Sequence, residues 1–180
     1  MKITSYVLLA WLSSVAIVHA EEVSVRYDKG TYFLTAEFYV EALPARVMEV
    51  LTDYENITDL NSTINVSELL EFPDNSMIRI RTVVHDCILF FCKDITRVED
   101  VLQVGNEKLE AFLIPMLSDL RSGYAVWILA QHSLGTTVQY AANMQFKFWV
   151  PPIIRSHLLT RKFKQRVLES VERLQAIAKT

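Results

Sequence analysis

Few side chains in this chain are spaced to do chemistry, and the densest group is His85-Asp86-Cys87 followed by Cys92. Imidazole, carboxylate and thiol donors fall there within eight positions. A structural zinc site prefers paired cysteines at separate corners, and one histidine with two cysteines this close does not make that pattern. No metal is expected. Nucleophilic catalysis needs a serine or cysteine with a base in hydrogen-bond reach, and no local motif supplies one. The four glycines, Gly30, Gly105, Gly123 and Gly135, never fall within ten residues of one another. That spacing excludes a phosphate-cradling Walker loop, a GxGxxG turn and a GxSxG nucleophile elbow. Asp119 and Arg121 could pair at a cavity mouth, although such a pair is more often a loop ion pair or turn cap. No catalytic residue and no cofactor is assigned.

The cysteines depend on compartment, and the N-terminus speaks to that. Lys2 is followed by an apolar run over residues 6–18, and Val18-His19-Ala20 puts small residues at the −3 and −1 positions. This predicts a secretory signal peptide over residues 1–20, cleaved after Ala20. The run is short for a bilayer span, which takes about 20 residues. Export places Cys87 and Cys92 where pairs normally oxidise. Two arrangements compete. If the chain stays extended through Ile88, Leu89, Phe90 and Phe91, the thiols are too far apart to bond. If those four residues form a hairpin loop, the cysteines face each other and form a disulfide. Export favours the second, which makes Ile88, Leu89, Phe90 and Phe91 a stapled apolar finger for a membrane, a partner or the protein's own sheet. Three Asn-X-Ser/Thr sequons, at Asn56, Asn61 and Asn65, would accept glycans only in a eukaryotic secretory route.

Charge is uneven. The whole chain has 18 basic and 21 acidic residues, a net of −3. Residues 153–180 carry seven basic and two acidic residues, and 21–152 carry ten and nineteen, which leaves an acidic body at −9 and a basic end at +5. An acidic body disfavours nucleic acid as a partner. The basic end is suited to acidic lipid or is a solvated helix face. With 51% hydrophobic residues, the chain has the composition of a folded protein, and residues 21–180 read as one domain.

Strands are expected at 22–26 and 31–41, joined by Asp28-Lys29-Gly30. Tyr32, Leu34, Ala36, Phe38 and Val40 share the core face of the second. Pro44 opens a helix striped by Val47, Val50 and Leu51, and a short helix at 55–60 follows. Further strands are predicted at 64–72, 77–84, 95–102, 108–114, 124–131 and 136–148. The last carries Val138, Tyr140, Ala142, Met144, Phe146 and Phe148 on one face. A long helix over 152–178 repeats Leu159, Phe163, Val167, Val171 and Leu174 at spacings of three and four. The fold class is therefore α+β, a curved antiparallel sheet wrapped around a long C-terminal helix. That helix is the one element large enough to cover the sheet, and the curvature leaves a cavity between them.

This order resembles the START-like helix-grip (SRPBCC) superfamily, which includes polyketide cyclases and coenzyme-Q-binding proteins. The segment Ala45-Arg46-Val47-Met48-Glu49-Val50-Leu51-Thr52-Asp53-Tyr54-Glu55-Asn56 is similar to the helix that opens these domains. Residues 115–127 (PMLSDLRSGYAVW) resemble the lead-in to the family's penultimate strand, and Phe148-Trp149-Val150-Pro151-Pro152 the lead-in to its final helix. The resemblance implies an apolar ligand cavity. Phe38, Ile80, Trp127, Tyr140, Met144 and Phe163 are the expected lining. The function expected is an exported, non-catalytic carrier of a lipid, quinone or polyketide-like molecule, monomeric and located in a bacterial periplasm, with peripheral membrane contact. The alternatives are a cyclase- or lyase-like enzyme and an envelope protein-interaction module.

Overall fold

The computed structural model describes residues 22–71 and 76–179, so the leader read at 1–20 lies outside the described residues. Eight strands follow the alternating segments: β1 (Glu22–Asp28), β2 (Thr31–Val40), β3 (Ile64–Glu71), β4 (Met77–Ile88), β5 (Phe91–Val104), β6 (Lys108–Leu113), β7 (Leu120–His132) and β8 (Gly135–Phe146). They form one curved antiparallel sheet in the order β1-β2-β8-β7-β6-β5-β4-β3. Helix α1 (Pro44–Thr52) and a 3-10 turn (Ile57–Leu60) carry the chain from β2 across to the far edge at β3. Helix α2 (Leu159–Ala178) closes the molecule, which is the helix-grip arrangement.

Period-two alternation decides which face each strand buries. In β2, Tyr32, Leu34, Ala36, Phe38 and Val40 are buried while Phe33, Thr35 and Glu37 are exposed. Proline at the first position of α1 costs no hydrogen bond, because that N–H has no helical partner anyway. Val47, Val50 and Leu51 are buried as the stripe requires, and Met48 joins them. In α2 the three-and-four spacing buries Val171, Leu174 and Ala178 against the sheet core. Each buried side chain of this kind contributes about 1.5–3 kcal/mol.

The structure differs from the sequence expectations mostly at element ends. The hairpin between β4 and β5 turns on two residues, Leu89 and Phe90, not four. Ile88 pairs with Phe91 and Cys87 with Cys92, so the ladder continues almost to the tip. Cys87 and Cys92 form a disulfide, with Cα atoms 4.0 Å apart. β8 ends at Phe146, and the backbone leaves the sheet at Lys147, whose N–H bonds the Asp119 carbonyl at 3.0 Å. The final helix opens with one wide π turn, Ile154–Leu158, in which the Leu159 N–H reaches back five residues to the Ile154 carbonyl, after the Ile154 and Arg155 N–H groups have both bonded the Pro151 carbonyl at 3.0 and 2.9 Å.

Candidate functional site

Strand parity builds the site. β4 turns Ile80, Thr82, Val84, Asp86 and Ile88 to the concave face, and β5 turns Phe91, Ile95, Arg97, Glu99 and Val101. Leu34 and Phe38 of β2, Trp127 of β7 and Tyr140 and Met144 of β8 complete the wall, and Phe163, Val167 and Val171 of α2 form the roof. The space they enclose is about 320 Å³. That lies near the lower end of small-molecule sites, which run from about 300 to 1,000 Å³. Phe38, Ile80, Trp127, Tyr140, Met144 and Phe163 all line it. Ala142 shares their strand face but is not part of the lining.

Within this apolar wall sits a polar cluster that sequence reasoning missed. Arg97 Nη2 donates to both oxygens of Glu99, at 2.8 and 2.7 Å, and the Glu99 side chain is only 6% exposed. The carboxylate beside it raises the Arg97 pKa, so the guanidinium stays charged. Burial pushes the Tyr140 phenol up to about 12, so it stays a proton donor; Arg97 acts the other way, and Glu99 adds to the rise. Tyr140 also packs on Trp127, ring centroids 5.0 Å apart. Thr82 stands opposite Arg97 in the ladder. Its Oγ1 is the buried side-chain oxygen without a hydrogen-bond partner among the described residues. The signal was present in the sequence: Ile95, Arg97, Glu99 and Val101 share one parity, and so do Ile80 and Thr82.

The mouth is held by ion pairs. Arg166 of α2 donates to Asp86 of β4 at 3.2 and 3.3 Å, and Lys162 approaches the same carboxylate at 3.5 Å. Arg166 also bonds Glu169 at 2.9 Å and Ser62 Oγ at 3.2 Å. Burial acts to raise the Glu169 pKa, but hydrogen bonds from Ser62 and then Arg166 outweigh it and hold the carboxyl near 2. Asn61 donates to the Arg166 carbonyl and to Ser170 Oγ, at 3.2 and 3.0 Å, and is buried, so this sequon is not a surface position. An aromatic series runs from wall to mouth: Tyr32 with Phe163, Phe146 with Phe148, and Phe148 with Phe91.

Two sequence expectations find other places. Asp119 does not line the cavity; its carboxylate accepts the Thr96 N–H at 2.8 Å and fixes the β6–β7 connection. Of the four apolar finger residues, Ile88 and Phe91 line the cavity, and only Leu89 and Phe90 project into solvent. The physical reason is the ladder itself, which seats the inner pair and leaves the turn pair outside. The lining serine, Ser170, spends its hydroxyl on the Arg166 carbonyl at 3.0 Å. Among the described residues, no three His, Cys, Asp or Glu side chains converge as a metal would need.

The architecture and the enclosed cavity define a START-like helix-grip fold. Solved structures agree. The chain is similar to the Zhui aromatase/cyclase from a Streptomyces species, with a TM-score of 0.68 and 12% identity over 83% of this chain and 94% of that one. It is similar to a START superfamily protein from Mycobacterium smegmatis, with a TM-score of 0.63 and 14% identity over 82% and 97%. A STAR-related lipid transfer protein from Xanthomonas axonopodis matches with a TM-score of 0.63 and 16% identity over 88% and 99%. At these identities the likeness establishes the fold. No protein-family model matches the chain, and neither does any curated protein sequence.

Proposed function

We propose that this protein is an exported, non-catalytic carrier of an apolar small molecule that bears one polar end group. One observation carries the reading: a largely apolar cavity of about 320 Å³ holds a buried hydroxyl, Thr82 Oγ1, that has no hydrogen-bond partner among the described residues, beside Arg97, Glu99 and Tyr140. A buried polar atom costs about 1–3 kcal/mol unless it is hydrogen-bonded, so a ligand hydroxyl or carbonyl placed there would recover that cost. The hydrocarbon remainder would lie along Phe38, Ile80, Trp127, Met144 and Phe163. Lipids, isoprenoid quinones and polyketide-like molecules share this amphiphilic plan.

The non-catalytic part of the reading is supported by what the polar groups already do. Glu99 is bound by Arg97 through both oxygens, and Tyr140 holds its proton. The cluster therefore offers donors to a ligand without a poised base, which general acid–base chemistry requires. The disulfide supports an oxidising compartment, consistent with a leader at 1–20 and a periplasmic domain spanning 21–180. The monomer purified from an export host tests the reading. Its organic-solvent extract, examined by mass spectrometry, should contain one amphiphile at near-equimolar amount. An extract free of such a molecule, after expression in a lipid-containing host, argues against the carrier reading.

A further inference from the structure

An apolar tip stands beside the cavity mouth, and the ligand reading leaves it unused. Leu89 and Phe90, at the β4–β5 turn, are 71% and 86% exposed. Trp149 and Ile153, which bracket the proline pair before α2, are 70% and 80% exposed. Two contacts bring these groups to the same end of the sheet. The Phe91 ring, next to the turn, lies 6.4 Å from the Phe148 ring, and Lys93 Nζ sits 5.4 Å over Phe148. Ile88, Phe91 and Phe148 in turn line the cavity. Single exposed apolar residues are ordinary, but four large ones around one opening form a patch, and such patches mark interaction sites.

Charge selects the occupant. Residues 147–168 contain six basic residues and no acidic one. The carboxylate that faces them at the mouth, Asp86, is neutralised by Lys162 and Arg166. Asp94, beyond the turn, is engaged by His85 at 2.6 Å, and Asp119 by the Thr96 amide. Arg161 and Lys164 remain exposed on the first turns of α2; Lys147, beside Trp149, is also exposed, but its ammonium donates to the Pro115 carbonyl at 2.5 Å. An aromatic and aliphatic tip with a cationic collar is the chemistry of an interfacial anchor on anionic lipid. A chain whose body is net acidic concentrates its positive charge at this one end.

We propose that this end of the molecule docks on an anionic lipid surface. Leu89, Phe90, Trp149 and Ile153 enter the acyl boundary, Arg161 and Lys164 face the headgroups, and the cavity mouth opens onto the bilayer. Docking stands on the tip and its charge alone; exchange of cargo with the bilayer rests on the carrier reading.

The test is flotation of the oxidised protein with vesicles of phosphatidylcholine alone and of phosphatidylcholine mixed with phosphatidylglycerol. The wild type is expected to float with the anionic vesicles, less with the neutral ones, and to be released by salt. Leu89→Asn with Phe90→Ser should lower partitioning by at least about tenfold, given the apolar area removed. Arg161→Gln with Lys164→Gln should lower it for anionic vesicles only. All four positions are exposed, and unchanged melting shows that the variants fold. A wild type that floats with neither vesicle overturns the proposal and leaves the tip to a protein partner. A tip variant that floats as the wild type does also overturns it, and equal flotation with both compositions overturns the charge argument. Solvent extraction of the same samples separates the two readings. A wild type that floats but carries no amphiphile sinks the carrier and leaves docking intact; a tip variant that keeps its amphiphile and no longer floats supports docking.

Discussion

Replacing Thr82 by valine isolates the atom on which the ligand argument turns. The side chain is 7% exposed, and its Oγ1 has no hydrogen-bond partner among the described residues. Valine keeps the shape and the preference for an extended backbone while exchanging the hydroxyl for a methyl group. An unsatisfied buried hydroxyl costs about 1–3 kcal/mol, so the emptied protein should gain about 1–2 kcal/mol on substitution. For a domain of this size, each kcal/mol moves the melting temperature by about 2–4 °C. The expected rise is therefore about 2–8 °C, measured by calorimetry on protein stripped with organic solvent. The bound state should respond in the opposite direction. If the ligand's polar end uses this hydroxyl, its loss should weaken binding by about tenfold per 1.4 kcal/mol removed. Thr82→Ser, which keeps the hydroxyl, should bind nearly as the wild type does. A melting temperature that falls or stays constant in Thr82→Val would refute the reasoning, because it would mean the hydroxyl is already satisfied by solvent inside the cavity.

Other substitutions probe the rest of the argument. Ala111 faces the cavity and is buried, so Ala111→Phe should fill the space and reduce co-purified amphiphile several-fold while costing less than the roughly 1–3 kcal/mol of overpacking in a full core; equal loss of ligand and stability would mean the site is only core. A Cβ at Gly135 would fall inside contact distance of the Tyr39 ring and the Val40 carbonyl, so Gly135→Ala should lower stability by about 2–3 kcal/mol in urea titration. Glu169 has a folded pKa near 2, below the ordinary carboxylate value of about 4.3. Its contribution is therefore complete above about pH 4.3 and is lost as pH falls toward 2; with its side chain 21% exposed, screening leaves about 1 kcal/mol, which Glu169→Gln should remove from the acid-unfolding curve. Leu89 holds a left-handed φ of 57°, which asparagine adopts more readily, so Leu89→Asn should leave the melting temperature unchanged or raise it by the equivalent of about 1 kcal/mol.

Much of the fold could be read from periodicity, and the errors have physical causes. Alternation in 31–41 and the three-and-four spacing of 159–178 each have one solution that buries the apolar face. The order hairpin, helix, strands, long helix then leaves little choice of architecture. The expected lining residues are large and mostly apolar, five on strand faces assigned by parity and Phe163 on the helix stripe. Arg97 and Glu99 escaped because charge is normally read as solvent exposure, and only their pairing across 2.7 Å makes burial tolerable. The turn at Leu89-Phe90 escaped because its residues contradict turn chemistry, which asks for Gly, Asn or Asp. The cavity volume is a sum over seven strands and both helices, and no local pattern encodes it.

That contradictory turn bears on what the tip is for. A leucine at φ 57° costs about 1–2 kcal/mol relative to its relaxed backbone, and an exposed Phe90 returns nothing by packing. A hairpin left to local preference would not keep this pair at its tip. Two residues away on each strand, the Cys87–Cys92 disulfide closes the loop and restricts the unfolded chain, which stabilises by about 2 kcal/mol in the chain-entropy model. The two terms are of similar size and opposite sign, so the staple lets the hairpin hold a tip chosen for something other than folding. Positions that break local rules beside a compensating feature are where function is expected. Here the broken rule exposes apolar surface, it stands at the mouth of an apolar cavity, and its inner neighbours Ile88 and Phe91 line that cavity. An apolar cargo leaving toward this tip would pass Ile88 and Phe91 inside the ionic collar of Asp86, Lys162 and Arg166 before it reached Leu89 and Phe90.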